Sequence, residues 1–354
     1  MAFFTKILPE EKKMKVVVDC LGNDLGAKAS VEGALSALVK DQDLEIILCG
    51  NEDEINKILD GKDYDKSRLE ICHASEIVTN DDVPTVAIKT KVDSSLVKAF
   101  DLLKNREDVG ALVSCGSTGG VLTASFLKIG RIKGVSRPAL CPILPTENGS
   151  KVLLLDCGAN VDCKPINVAH FALMGSSYAK IYCGVENPRV ALLNIGTEDK
   201  KGNEFSHECF EMLKSMPINF VGNMEARDFL SGKYDVVVSD GFDGNILLKS
   251  VEGTAKMITS MLKDEIKSSK RAKFGYLFMK GAFKKFKEKM NYKNYGGAVF
   301  LGVKKPVVKG HGSSDGVAFE KCILQAKTLA EKNLCENISN ELQKIEIFEE
   351  GANG

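Results

Sequence analysis

Four times along this chain a short apolar run stops at a cluster of Gly, Asp, Asn, Ser or Thr residues, and a helical pattern opens directly after it. The fullest case is Leu153-Leu-Leu155, then Asp156-Cys-Gly-Ala-Asn160-Val-Asp162-Cys-Lys164-Pro165, then Val168, Phe171, Ala172, Met174 and Gly175 at three- and four-residue spacings. An uninterrupted apolar run of this length marks a strand buried on both faces, as in a parallel sheet. Parallel neighbours need crossover helices, so the repeat predicts an α/β fold with a mostly parallel sheet covered on both faces. Ligands of such sheets bind beyond the carboxyl ends of the strands, where these polar clusters fall.

The other three units are Lys15–Asp19 with Gly22-Asn-Asp24-Leu-Gly26, Gly110–Ser114 with Cys115–Gly120, and Tyr234–Ser239 with Asp240–Asn245. Helices are expected from Lys28, over Val121–Ile129 and from Ile246, with further ones over Glu52–Leu59, Val86–Asn105 and Val317–Leu334. Glu45–Cys49, Leu69–His73, Val190–Ile195 and Pro306–Lys309 read as additional strands.

The chemistry lies in the clusters. Cys115–Gly120 is the richest in donors: Ser114, Ser117 and Thr118 offer hydroxyls, while Gly116, Gly119 and Gly120 let the backbone approach an anion. The same residues also suit a tight turn with a capped helix. The first cluster is neither GxGxxG nor a P-loop with GK[ST], which argues against a dinucleotide-dependent dehydrogenase. Asp19 and Asp24 there would repel a phosphate unless a cation or proton intervenes. After Ile195 come Gly196, Thr197 and the lysines Lys200 and Lys201, long enough to reach an anionic ligand, although loop lysines are mostly solvated. His311, between Gly310 and Gly312 and followed by Ser313 and Ser314, reads as an anion-contacting turn at a helix start.

Lys+Arg and Asp+Glu are both 48, so no overall charge points to nucleic acid. The 11 cysteines, odd in number and scattered through apolar runs, argue for reduced thiols in a cytosol. Cys157 and Cys163 form no CxxC, so no zinc site is expected. No apolar run approaches the ~20 residues of a membrane-spanning helix. Residues 1–14 read as a mobile extension, with Met14 a candidate start, and residues 341–354 as an acidic tail. Between them, 15–340 reads as a single domain. The segment Lys263–Lys293 carries eleven Lys and Arg against three Asp and Glu, with Phe274, Phe278, Met279, Phe283, Phe286 and Met290 at helical spacings. A basic amphipathic helix suits a membrane surface or an acidic partner. It equally suits packing on the core or on a second subunit.

Several of these stretches, in this order, resemble the bacterial PlsX family of phosphate acyltransferases (acyl-acyl-carrier-protein:phosphate transacylases). The residues that carry the resemblance are Leu155–Pro165, Met174–Ala179, Asn194–Glu198, Val221–Glu225, Ser239–Asn245, Tyr295–Ala298 and Lys309–Asp315. It runs from about Lys15 to about Ala326. The chain departs from it where the family has DAMGGD (here Asp19–Asp24), SAGNTGA (here Ser114–Gly120, with Ser117 replacing an amide) and DGFVGN (here with Asp243).

The resemblance implies a three-layer α/β/α, Rossmann-like fold akin to the isocitrate/isopropylmalate dehydrogenases, a homodimer, and a cytoplasmic protein loosely associated with membrane. It implies acyl transfer from acyl carrier protein to inorganic phosphate for glycerol-3-phosphate acylation, with neither cofactor nor metal. The implied partners are acyl carrier protein, phosphate, anionic membrane and a membrane glycerol-3-phosphate acyltransferase. A phosphotransacetylase-like enzyme using acyl-CoA is the alternative. For catalysis, Lys164, Lys200 and His311 are the candidates to offset charge or move a proton, and Asp156 and Asn160 to orient them. Phosphate or oxyanion binding falls to Ser114, Gly116, Ser117, Thr118, Gly119, Thr197, Asp240, Gly241, Asn245, Gly312, Ser313 and Ser314. Phe283, Phe286, Lys284 and Lys287 are the candidates for membrane or carrier contact. A cysteine nucleophile, Cys115 or Cys157, is the rival mechanism.

Overall fold

The structure is a computed structural model that describes residues 14–290 and 295–352, with side chains omitted for 287–290 and 346–352. Residues 1–13 of the extension expected over 1–14, Lys293 and the side chain of Lys287 thus lie outside the described residues. In chain order the strands are β1 (Lys15–Asp19), β2 (Glu45–Gly50), β3 (Leu69–His73), β4 (Val109–Ser114), β5 (Ala139–Cys141), β6 (Ile143–Pro145), β7 (Lys151–Leu155), β8 (Val190–Asn194), β9 (Phe220–Glu225), β10 (Val236–Val238), β11 (Ala298–Leu301) and β12 (Val307–Lys309). The α-helices are α1 (Ala27–Lys40), α2 (Glu52–Leu59), α3 (Pro84–Thr90), α4 (Ser95–Asn105), α5 (Thr118–Ala124), α6 (Pro165–Tyr178), α7 (Glu204–Ser215), α8 (Gly241–Ser268), α9 (Lys270–Met290), α10 (Gly316–Glu331) and α11 (Leu334–Ala352).

Two sheets result, ordered β3-β2-β1-β4-β12-β11-β5 and β6-β7-β10-β8-β9. Pairing is parallel except where β11 meets β12 and β5, and where β6 meets β7. Alternation along the central strands explains the layers. Val16 and Val18 of β1 join Ala34 and Leu38 of α1 and Phe319 and Ile323 of α10 in one core. Val17 turns to the other face, with Phe100 and Leu103 of α4. In the second sheet Leu153 and Leu155 pack with Val168 and Phe171 of α6, while Val152 and Leu154 face Phe229 and Leu247. Each of the Val, Leu, Ile and Phe side chains among them contributes about 1.5–3 kcal/mol of transfer free energy when fully buried.

The sheets meet at Pro142. Proline lacks the ladder donor, so the chain leaves β5 there and re-enters as β6. Leu154 N–H donates to the Pro142 carbonyl at 3.3 Å and Cys157 N–H to that of Leu140 at 3.1 Å, tying the end of β7 to both sides.

Three elements differ from the sequence expectation. The helix expected over 86–105 is two, because Ser94 caps α4 by accepting from Val97 N–H at 3.3 Å, and the Lys91 ammonium turns back to Asp82 at 2.6 Å. The helix after β10 starts at Gly241, capped by Asp240, so the cluster 241–245 is already its first turn. The basic segment is divided at Ser269, whose backbone is extended, between the end of α8 and the start of α9. No helix of the described residues is long and apolar enough to cross a membrane.

Candidate active site

β1, β4 and β12 are parallel neighbours in the middle of the larger sheet, so their carboxyl ends open side by side. Their last residues pair across the strands: Asp19 with Ser114, and Ser114 with Lys309. Asp19 is buried. Its Oδ2 accepts from Ser114 Oγ at 2.7 Å, and its Oδ1 from Ser95 Oγ at 2.5 Å and Leu21 N–H at 3.3 Å. Burial lifts its carboxyl above the ordinary range, against the pull of these hydroxyl bonds.

The three turns beyond this row lock together. A Cβ on Gly22 would stand 2.5 Å from the Cα of Gly116, so only glycine allows the first two turns to touch. Asp24 N–H donates to the Gly312 carbonyl at 2.9 Å, and Asn23 Nδ2 to that of Ser314 at 3.0 Å, which fixes the third turn to the first. Asp315 caps α10 by accepting from Ala318 N–H at 3.0 Å.

Among these turns opens a cavity of about 360 Å³, in the range of small-molecule sites. Gly22, Asp24, Gly116, Thr118, Lys309, His311, Gly312 and Ser314 line its polar side, and Pro142, Ile143, Leu144, Leu248 and Ala298 its apolar side. Of the residues expected to bind phosphate, Gly116, Thr118, Gly312 and Ser314 line the cavity together with His311. Ser114 lies beneath it, engaged with Asp19. Ser117 is the N-cap of α5, accepting from Gly120 N–H at 3.4 Å, and Gly119 packs on Pro84. Ser313 N–H donates to His311 Nδ1 at 3.1 Å.

The remaining expected residues gather at the strand ends of the second sheet and do not line this cavity. Asp156 is fully buried. It accepts from Leu140 N–H at 2.8 Å, Asn160 N–H at 2.6 Å and Asn160 Nδ2 at 3.0 Å. Burial raises its carboxyl too. Gly241 and Gly244 bring the first turn of α8 against Asp156, and Asn245 lies over Gly158. Asp240 spends its Oδ1 on Asp243 N–H at 2.8 Å. Lys164 is exposed at the N-cap of α6, and Thr197 and Lys200 are exposed after β8. Asp156 and Asp240 hold a loop and a helix start, and none of these groups lines the cavity.

Lys309 lines the cavity while Asp19 and Asn23 brace its turns; all three fall in clusters the sequence marks, but none is among the residues expected to act, since only the strand order brings them together. Cys115 lines the cavity, yet burial pushes its thiol up to about 11, and Cys157 is raised well above the usual thiol range for the same reason. Neither carries the thiolate a nucleophile needs near neutrality. Among the described residues no three His, Cys, Asp or Glu side chains converge to hold a metal ion. On α9, Phe274, Leu277, Phe278, Met279 and Phe286 are exposed, Phe278 by 80%, and Phe283 is half-buried with its ring 5.3 Å from that of Tyr276. Lys284 is exposed on the same helix.

Compared with solved structures, the fold is that of the phosphotransacylases: it overlays a phosphotransacetylase from Streptococcus pyogenes with a TM-score of 0.59 at 17% identity, covering 92% of this chain and 95% of that one. In sequence, the family described as "Fatty acid synthesis protein" matches residues 14–337. The phosphate acyltransferase of Clostridium novyi is 45% identical over 331 residues, 94% of this chain and 99% of that protein. That of Clostridium tetani is 44% identical over 335 residues, 95% and 100% of the two chains. The chain belongs to this phosphate acyltransferase family, PlsX, and is an acyltransferase.

Proposed function

We propose that this enzyme moves a fatty acyl group from acyl carrier protein to inorganic phosphate, and that the acyl phosphate feeds glycerol-3-phosphate acylation in phospholipid synthesis. The observation that carries the reading is the cavity itself, in which glycine turns and Lys309, Thr118 and His311 face an apolar wall. One side suits an oxyanion and the other the start of an acyl chain.

In the reaction a phosphate oxygen attacks the thioester carbonyl carbon, forming a C–O bond and a tetrahedral oxyanion. The C–S bond then breaks, its electron pair leaves on sulfur, and the thiolate takes a proton. Backbone N–H groups of Ser117 and Thr118 and the Thr118 hydroxyl stabilise the developing oxyanion, since the Gly116 N–H is already given to Ser114 Oγ at 3.1 Å. His311, with Ser314 beside it, supplies the proton or holds the phosphate. Phosphate ionises near neutrality, so no strong base is required. Asp156, Asn160 and Asp240 hold the neighbouring loop and helix start, and Lys164 and Lys200 offset charge brought by the donor. Thr197, Gly241 and Asn245 lie with them.

Residues 15–340 act in this proposal as one catalytic domain, kin to the isocitrate/isopropylmalate dehydrogenases, in a cytoplasmic homodimer. The basic, partly apolar surface of α8 and α9 meets the acidic carrier, anionic membrane and a membrane glycerol-3-phosphate acyltransferase. The test is to supply purified protein with phosphate and either palmitoyl-acyl carrier protein or palmitoyl-CoA. Acyl phosphate from the carrier substrate supports the reading. Product from CoA alone would reassign the enzyme to the phosphotransacetylase type, and no product from either would overturn it.

A further inference from the structure

Lysines seldom leave water; among the described residues two are buried, Lys327 and Lys309, and the half-buried Lys305 offers a comparison. Lys305, half-buried, gives its ammonium to three carbonyls, those of Leu103 at 2.7 Å, Val109 at 3.0 Å and Arg106 at 3.3 Å. Lys327, 7% exposed, sits on both Asp41 oxygens at 2.6 Å and on Glu331 at 3.2 Å. Each spends its three donors on the protein, as an ammonium removed from water must. Lys309 is 8% exposed, but among the described residues its ammonium has one acceptor, the carbonyl of the adjoining Gly310.

The setting explains what is missing. Lys309 ends β12 beside Ser114 and lines the cavity. Asp19, Asp24, Cys115 and Cys322 are the titratable groups that act on it most, and His311, Lys249 and Glu252 line the same cavity, the last two paired with each other at 2.8 Å. Asp19 has both oxygens engaged with Ser95, Ser114 and Leu21, and Asp24 lies against Gly312. Among the described residues neither carboxylate forms an ion pair with Lys309, and both thiols are held protonated by burial. The cation is therefore held in the wall of a polar cavity with fewer acceptors than donors, and the turns facing it are built of Gly22, Gly116, Gly310 and Gly312, which leave room beside it.

We propose that Lys309 is a phosphate-binding residue of this enzyme, its ammonium donating to an oxygen of the substrate phosphate. A tetrahedral oxyanion supplies the acceptors that the protein withholds, and the charge pair forms away from bulk water, where it is strongest. The inference rests on the reading that this cavity takes phosphate.

Lys309→Met keeps most of the length of the side chain and removes its charge. With folding confirmed by circular dichroism and thermal unfolding, the KM for phosphate is expected to rise at least roughly tenfold, while the KM for the acyl donor stays within about twofold, the signature of one lost charge-assisted bond. Lys309→Gln, which retains a donor for the Gly310 carbonyl, replaces it if the methionine variant does not fold. Lys305→Met is the comparison: it lowers the melting temperature and leaves the phosphate KM unchanged. A second readout needs no turnover. Inorganic phosphate raises the melting temperature of the unaltered protein, and the rise disappears in Lys309→Met. A folded variant with unaltered phosphate KM and thermal shift overturns the proposal, as does an unaltered protein that phosphate does not stabilise. Failure of both acyl donors with the thermal shift intact would instead remove the assigned reaction and leave the anion site standing.

Discussion

Burial governs the ionisable groups around the cavity more than their neighbours do. The Cys115 thiol, pushed up to about 11, is almost wholly protonated at pH 7, so Cys115→Ala is expected to keep acyl phosphate formation within about threefold of the unaltered enzyme. Loss by orders of magnitude would restore the thioester mechanism. Lys309 is shifted the other way, because burial disfavours its charged form and lowers its pKa below the ordinary lysine value. Its proton is therefore lost as pH rises through that lowered value. Phosphate affinity should fall on the alkaline side earlier than a solvated lysine would allow, and a phosphate-KM profile of Lys309→Met should lack that limb. Single residues are where the sequence is least legible. Ser114 and Asp19 lie 95 residues apart and become partners only through the strand order. Lys309 opens one of the stretches that carry the resemblance, but nothing in the sequence marks it as buried with a single acceptor.

Among the elements, α10 matters most to the site, since the turn through His311 and Ser314 runs directly into it. Its packing on α1 depends on Gly33, where a Cβ would stand 2.4 Å from Phe319 Cβ and 2.7 Å from the Gly316 carbonyl. Gly33→Ala is expected to destabilise by about 1–3 kcal/mol in urea unfolding and to raise the phosphate KM with it. The far ends of the same helices are joined by Asp41 and Lys327. Burial works to raise the Asp41 carboxyl, but the bonds from Lys327 and Asp43 N–H outweigh it and hold it below the usual range. A depressed carboxyl stabilises above its ordinary pKa and loses that contribution as pH falls through the lower value. Asp41→Asn should therefore cost about 1.5–3 kcal/mol near neutrality, and the difference should close in acid. Apolar runs make β1, β2, β4, β7 and β8 legible from the sequence alone. The three-residue strands β5 and β6 are not, because a proline between two short apolar pieces leaves no period to read. The division of α3 from α4 is hidden by the continuous apolar spacing across a capping serine.

For the molecule as a whole, the arrangement of two sheets about Pro142 separates polar clusters that look alike in sequence. Those after β1, β4 and β12 form the cavity, while those after β7, β10 and β8 stand at the second sheet. The repeat of run, cluster and helix makes an α/β fold with polar strand ends legible, while the enzyme class is legible only through the family resemblance. It does not reveal which clusters share an edge, since that depends on strand order. The pair α8 and α9 exposes apolar side chains amid its lysines, with Phe278 more exposed than the half-buried Phe283. Replacing Phe278 and Phe286 by serine keeps every charge and should weaken flotation with anionic vesicles by roughly threefold or more, with a smaller effect on carrier-protein binding. Unchanged flotation would assign this face to another subunit.

Everything proposed for catalysis depends on the turns after β1, β4 and β12, with Lys309, holding the phosphate. A crystal structure of the enzyme soaked in phosphate decides this. A tetrahedral anion is expected in the cavity, about 3 Å from Lys309 Nζ and from the N–H of Ser117 or Thr118. A well-ordered anion at Lys164 or Lys200, with the cavity holding only water, would contradict it.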